Sequence, residues 1–308
     1  MTRLLRFATQ TGGAPSGAVW LARARQVESL GYGTLAMPDH VVGGAWAPFP
    51  ALAAAAVATT TLRLGTLVLD NDFRHPLLLA REAAVVDVVS NGRLELGVGA
   101  GWYDKDYASL GMSFDPGRVR VERLAEAISV LKRLFAGEEL THEGRYYRLA
   151  GATSKPATVQ RPHPPIMVAG GGPVILDLAG REANIAALIA QAGPTGRLVD
   201  PGQVSFASGR EKAARVRDAA KGRDVELSCF LDVVLTDDRE KEIRAVAERA
   251  QVDATVVAGS MYRPIGTLDD VRRHIERVRD EVGVTYFCIR GPHVDECAPL
   301  VRELTGRA

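Results

Sequence analysis

The chain has 308 residues, 46% of them apolar and 24% charged, and its 38 Lys and Arg nearly balance 37 Asp and Glu for a formal net charge of +1. Such a chain carries no basic stripe for nucleic acid, and its longest apolar tracts, such as 51–58, are far too short to span a bilayer. Cys229, Cys288 and Cys297 are spaced for neither a disulfide framework nor a zinc site, and the N-terminus lacks an apolar stretch with a cleavage site, so a cytoplasmic, metal-free protein is expected.

Short β-rich runs alternate with helical patterns from end to end, which is the signature of repeated βα units and a parallel sheet. Strands are predicted over 5–8, 34–37, 62–69, 94–98, 166–168, 185–189, 227–235 and 285–289. Pro76 suits the first turn of a helix over 77–89, with His75 as its cap and Asn91-Gly92 as its end. Val121, Leu124, Ile128, Leu131 and Phe135 recur at helical spacing, as do Val271, Ile275, Val278 and Val282 behind a Thr267/Asp270 capping box.

Two segments fit no βα unit. Residues 137–164 predict a β-hairpin turning at Glu143-Gly144 with a proline-stiffened return, and 191–208 are polar, glycine-rich and aperiodic, predicting a mobile loop over the mouth of a barrel. Eight strands with intervening helices predict one (β/α)8 barrel domain over 1–308 with a hairpin insertion before the fifth strand. An open doubly wound sheet is the alternative.

In such a barrel chemistry sits at the C-terminal strand ends. After the second strand stand Asp39 and His40, an acidic residue beside an imidazole suited to general acid–base work. After the fourth come Gly97, Gly99 and Gly101, which leave no Cβ on alternate residues and let a ligand touch the backbone, and then Trp102. Trp102 stands where a dinucleotide fingerprint needs glycine, so that motif is absent. Gly170, Gly171 and Gly172 precede a helix pattern and offer backbone N–H groups to an anion, with no Gly-Lys-Ser/Thr to make a P-loop. Trp46 and Trp102 are candidate apolar walls. No Gly-x-Ser-x-Gly elbow occurs, and Asp70 with Asp72 is equally what a solvated turn provides. Surfaces for a planar phosphorylated molecule with few nucleophiles favour a cofactor that carries the chemistry.

Taken together, these segments resemble the bacterial luciferase-like superfamily and, within it, the F420-dependent oxidoreductases of actinobacterial type. The carriers are Val27-Glu28-x-Leu30-Gly31-Tyr32 leading to Pro38-Asp39-His40, Leu64-Gly65-Thr66 followed by Arg74-His75-Pro76, Ser90-Asn91-Gly92-Arg93 running into Gly97-Val98-Gly99-Ala100-Gly101-Trp102, and Pro164-Pro165-Ile166-Met167-Val168-Ala169-Gly170-Gly171-Gly172. The resemblance implies a barrel that binds coenzyme F420, or alternatively FMN, at its mouth, with His40 as the proton donor or acceptor beside Asp39. It implies a non-prolyl cis peptide at Leu67-Val68 behind the ring. The implied cofactor contacts are Leu67, Val68, Leu69, Gly99, Ala100, Gly101 and Trp102, with Ala169, Gly170, Gly171, Gly172 and Pro173 at the phosphate. The substrate is expected against Trp46, Trp102 and Gln191. Leucine at 67 and 69, where relatives often carry smaller or hydroxylic residues, implies apolar and backbone ring contacts. Trp102 in place of a glutamate argues against the sugar-phosphate dehydrogenase subtype. The implied activity is hydride transfer between deazaflavin C5 and a small organic substrate. An FMN-dependent monooxygenase using oxygen and a non-catalytic flavin- or deazaflavin-binding protein are the rivals, and a homodimer is the family expectation.

Overall fold

A computed structural model describes residues 3–191 and 200–307. Eight parallel strands form the barrel: β1 (Arg6–Gln10), β2 (Thr34–Met37), β3 (Arg63–Thr66), β4 (Leu94–Gly99), β5 (Ile166–Gly170), β6 (Ile185–Leu188), β7 (Glu226–Asp232) and β8 (Tyr286–Arg290). Each pairs with its chain neighbours, β8 pairs with β1, and pairing of β3 with β4 completes the ring. The closed barrel is thus the observed fold, and the open sheet is not. Alternation along each strand sends Phe7 and Leu35 outward to the helices and Ala8, Ala36, Met167, Ala187 and Cys288 to a small interior cluster. Small interior residues leave room at the top of the barrel.

The helices carry the apolar faces their spacing predicts. We label them α1 (Gly17–Ser29), α2 (Pro48–Ala58), α3 (Pro76–Val89), α4 (Asp104–Ser109), α5 (Gly117–Phe135), α6 (Pro173–Glu182), α7 (Phe206–Ala220), α8 (Arg239–Ala250), α9 (Ala254–Ala258), α10 (Leu268–Val282) and α11 (Ala298–Leu304). In α10, Val271, Ile275, Val278 and Val282 are buried, and Thr267 and Asp270 close the capping box. His75 caps α3 by accepting the Leu77 N–H at 3.2 Å, and Asn91 and Gly92 leave the helix at φ 54° and 79°.

Four predicted elements differ in detail. The run 62–69 is broken: β3 stops at Thr66, the Leu67-Val68 peptide is cis as the resemblance implies, and Leu69–Asp70 resumes pairing with Val98 and Gly99. Gly65 faces Glu95 while Leu69 faces Val98, so β3 holds one extra residue against β4 and bulges there. The run 227–235 likewise breaks at Val233, because Val234–Leu235 leaves the barrel to pair with Ile265–Gly266. The insertion before β5 is the predicted hairpin, Leu140–Glu143 against Arg148–Ala152, with its turn spread over 144–147. Within 191–208, a short turn at Pro201–Val204 and the start of α7 replace the predicted aperiodic loop, and 192–199 lie outside the described residues.

Candidate active site

The C-terminal ends of the strands enclose a cavity of about 540 Å³. Its walls include His40 and Asp39 after β2, Leu67, Val68 and Leu69 at the bulge, Gly99, Ala100, Gly101 and Trp102 after β4, Ala169 to Pro173 after β5, and Gln191 after β6. Of the residues singled out from the sequence, Trp46 does not line it. It packs on Trp20 with ring centroids 5.9 Å apart and stands over Gly13, which corrects its expected place in the substrate pocket: an indole there completes the seam between α1 and α2.

His40 is held from below by a residue that the sequence did not point to. Its Nδ1 lies 2.6 Å from Asp106 Oδ2 on α4, while Asp106 Oδ1 accepts the N–H groups of Val41 and Val42, both at 2.9 Å. Asp106 is buried, so this carboxylate fixes both the turn after β2 and the imidazole. With the Nδ1–H donated to the carboxylate, Nε2 is the nitrogen left to exchange a proton. Trp102 and Tyr103 meet the ring edge-on at 5.6 and 5.9 Å.

Asp39 is tied differently. Arg74 grips it in bidentate fashion at 2.5 and 2.9 Å, and it accepts the Asp70 N–H at 3.1 Å, so it ties the end of β2 to the turn after β3. At the floor, Gln10 Nε2 donates to the Leu67 carbonyl at 2.5 Å and holds the bulge. Arg120 on α5, another residue without a sequence signal, donates to the carbonyls of Ala100, at 2.9 Å, and Gly101, and stiffens that wall.

The glycines at the end of β4 also make room for protein atoms. A Cβ at Gly97 would overlap the Thr66 carbonyl, one at Gly99 would stand 2.8 Å from Val68 Cγ2, and one at Gly101, whose φ is +70°, would overlap Asp70 and Tyr107. Gly97 and Gly99 make room for the bulged β3, whose Leu67–Leu69 form an apolar wall, and Gly101 makes room for Asp70 and for Tyr107 of α4. After β5, Gly170 and Gly171 are likewise packed against Ile175 and the Ile189 carbonyl. Gly172 differs: its Cβ position meets nothing closer than Gln191 at 3.8 Å, no side chain caps α6, and Pro173 begins the helix. The first N–H groups of α6, at Val174 and Ile175, have no intrahelical partner and border the cavity, an arrangement suited to an anion.

A sequence profile described as luciferase-like monooxygenase matches residues 4–282. The chain belongs to the luciferase-like monooxygenase family. This luciferase-like chain is 29% identical to an F420-dependent glucose-6-phosphate dehydrogenase of Beutenbergia cavernae over 92% of its own length and 90% of the relative's. It is 38% identical to the oxygenase component of a flavin-dependent trigonelline monooxygenase of Acinetobacter baylyi, over 44% of the chain and 37% of that protein. In fold it resembles a coenzyme F420 dependent tetrahydromethanopterin reductase from Methanopyrus kandleri, with a TM-score of 0.80, 19% identity, and 98% and 99% of the two chains covered.

Proposed function

We propose that this chain is an F420-dependent oxidoreductase that transfers a hydride between the deazaflavin and a small organic substrate, with His40 managing the accompanying proton. One cavity combines three features that together support this reading: a flat apolar wall, an uncapped helix N-terminus and an imidazole oriented by a buried carboxylate. The residues present fit such a cofactor. Leu67, Val68 and the backbone of Gly99 to Gly101 suit a planar ring, and Gly171, Gly172 and the first turn of α6 suit a phosphate. When bound, F420 supplies hydride chemistry at ring carbon C5. The chain's part is to orient ring and substrate, exclude water and move a proton at His40 Nε2. Asp106 sets the tautomer of His40, and Asp39 keeps its loop in place through Arg74. Trp102 and Gln191 are assigned to the substrate side of the mouth.

The alternative of an FMN-dependent monooxygenase is favoured by the trigonelline monooxygenase similarity. A pure carrier has no use for a carboxylate-oriented imidazole. Self-association through α3 accords with its outward stripe of exposed Leu78, Val85, Val88 and Val89. Titrating the purified protein separately with F420 and FMN tests the reading. Tight F420 binding with weak FMN binding is expected, and FMN binding without F420 binding would overturn it.

A further inference from the structure

The carboxyl of Asp70 is divided between the protein and the cavity. Its Oδ1 accepts the Asp72 N–H at 3.0 Å and lies 3.1 Å from the Tyr107 hydroxyl, whose single proton it shares with Asp72 Oδ2, also at 3.1 Å. Its Oδ2 has no hydrogen-bond partner among the described residues, although Asp70 is only 9% exposed and borders the mouth cavity. Gly101 leaves this oxygen uncovered, since a Cβ there would overlap both Asp70 Oδ2 and the Tyr107 hydroxyl.

Among the described residues, no cation pairs with this carboxyl. Arg74 grips Asp39, Arg123 holds Asp72 at 2.6 Å, and Arg120 points to the carbonyls of Ala100 and Gly101 with its guanidinium 4.0 Å from the Phe114 ring centroid. Among the described residues, the titratable groups that act most strongly on Asp70 are Asp39 from the end of β2, Asp72 on its own turn and Tyr107 from α4, each acidic. Burial first, and then the neighbouring carboxylates, oppose a negative charge there and push the carboxyl up to about 7. Because Oδ1 already receives the Asp72 N–H and faces the Tyr107 hydroxyl, the proton of the neutral acid is placed on Oδ2, the oxygen left open to the cavity.

We propose that Asp70 acts as a neutral carboxylic acid whose Oδ2–H donates a hydrogen bond to a carbonyl or ring-nitrogen acceptor of the planar ring bound in the mouth. This makes it a cofactor-binding residue and makes cofactor affinity depend on pH. The assignment rests on the cofactor reading above. An ionised Asp70 has no proton to donate and presents a negative charge to the same acceptor, so affinity falls as the pH rises through the carboxyl's titration.

The test is an F420 titration by fluorescence at pH values from roughly 5.5 to 9 on the wild-type protein, Asp70→Asn and Asp70→Ala, with FMN run in parallel. Carboxyl carbon-13 NMR of the unliganded protein follows Asp70 itself. The wild-type Kd is expected to weaken about tenfold between the acid and alkaline limits. Asp70→Asn, which keeps a donor at every pH, is expected to hold the acid-limit affinity throughout, and Asp70→Ala to bind weakly throughout. One aspartate titrating near neutrality in the wild type, and missing in Asp70→Asn, is the matching NMR result. Equal, pH-independent binding by all three proteins would overturn the role of Asp70 and leave the cofactor reading intact. Binding of FMN alone with the same pH dependence would overturn the choice of F420 and retain Asp70. Failure of both cofactors at every pH would overturn both proposals.

Discussion

The two ends of the barrel use buried charge in opposite ways. At the base, Glu95 on β4 receives Arg6 at 2.5 Å, Arg63 at 2.8 Å and the Tyr286 hydroxyl at 2.7 Å, while Arg6 also holds Glu226 at 2.7 Å. These arginines hold the Glu95 carboxyl below the ordinary carboxylate range despite its complete burial. At the mouth, His40, Asp70 and the start of α6 each keep one polar group without a protein partner among the described residues. A closed network joins strands that are remote in sequence; an open one is what a ligand completes. The same residue types therefore mark stability at one end and chemistry at the other.

The contrast breaks most visibly at Glu95. Glu95→Gln removes the charge that compensates two arginines and is expected to cost about 3–5 kcal/mol, measured by denaturant unfolding, with F420 affinity unchanged in the folded fraction. At the mouth, His40→Ala is expected to lower turnover in an F420-coupled assay by on the order of 10²–10⁴-fold with unchanged cofactor affinity. Asp106→Asn should lose less, because the imidazole remains but its tautomer is no longer enforced; its pH–rate profile should shift while its melting temperature moves little.

Asp70 gives a stability effect with a defined sign. Its folded pKa of about 7 stands above the ordinary 3.8, so between those values the folded protein holds a proton that the unfolded chain has released. Stability drawn from this site is present at low pH and lost as the pH rises toward 7. The melting-temperature advantage of Asp70→Asn over the wild type should accordingly grow from pH 5 to pH 8, as differential scanning calorimetry would read it. The smallest effect belongs to the base. Glu28 accepts the N–H groups of Thr60, Thr61 and Leu62 between 2.6 and 2.9 Å and is held down to about 2. Glu28→Gln should cost about 1 kcal/mol at neutral pH, a difference that closes as the pH falls from the ordinary carboxylate range through 2.

The barrel was legible because eight apolar runs alternate with helical patterns through the chain, and two of those helices carry cap signals of their own. His40 and the residues after β4 and β5 were legible for the same reason: strand ends locate a mouth before any contact is known. Asp106 and Arg120 were not, since His40 and Asp106 meet across 66 positions and neither Asp106 nor Arg120 sits at a strand end. An acid one helical turn after Trp102 was the available signal. The glycines of 97–101 were legible as points of close contact, and Gly99 and Gly101 border the cavity. Their pattern records contact, and a sequence does not say whether the contacting atoms belong to a ligand or, as here, to a bulged neighbouring strand. Trp46 misled in a similar way, because an aromatic in a loop packs against a neighbouring helix as readily as it walls a pocket.

In the proposed function, the mouth of the barrel seats an anionic cofactor at the start of α6. Gly172→Asp tests this most directly, because Gly172 has φ −85° and ψ 159° with room for a side chain, and aspartate is a favoured N-cap. The F420 Kd of this variant is predicted to weaken at least about tenfold through carboxylate–phosphate repulsion, while its melting temperature holds or rises. An unchanged F420 Kd with the helix capped would contradict the account.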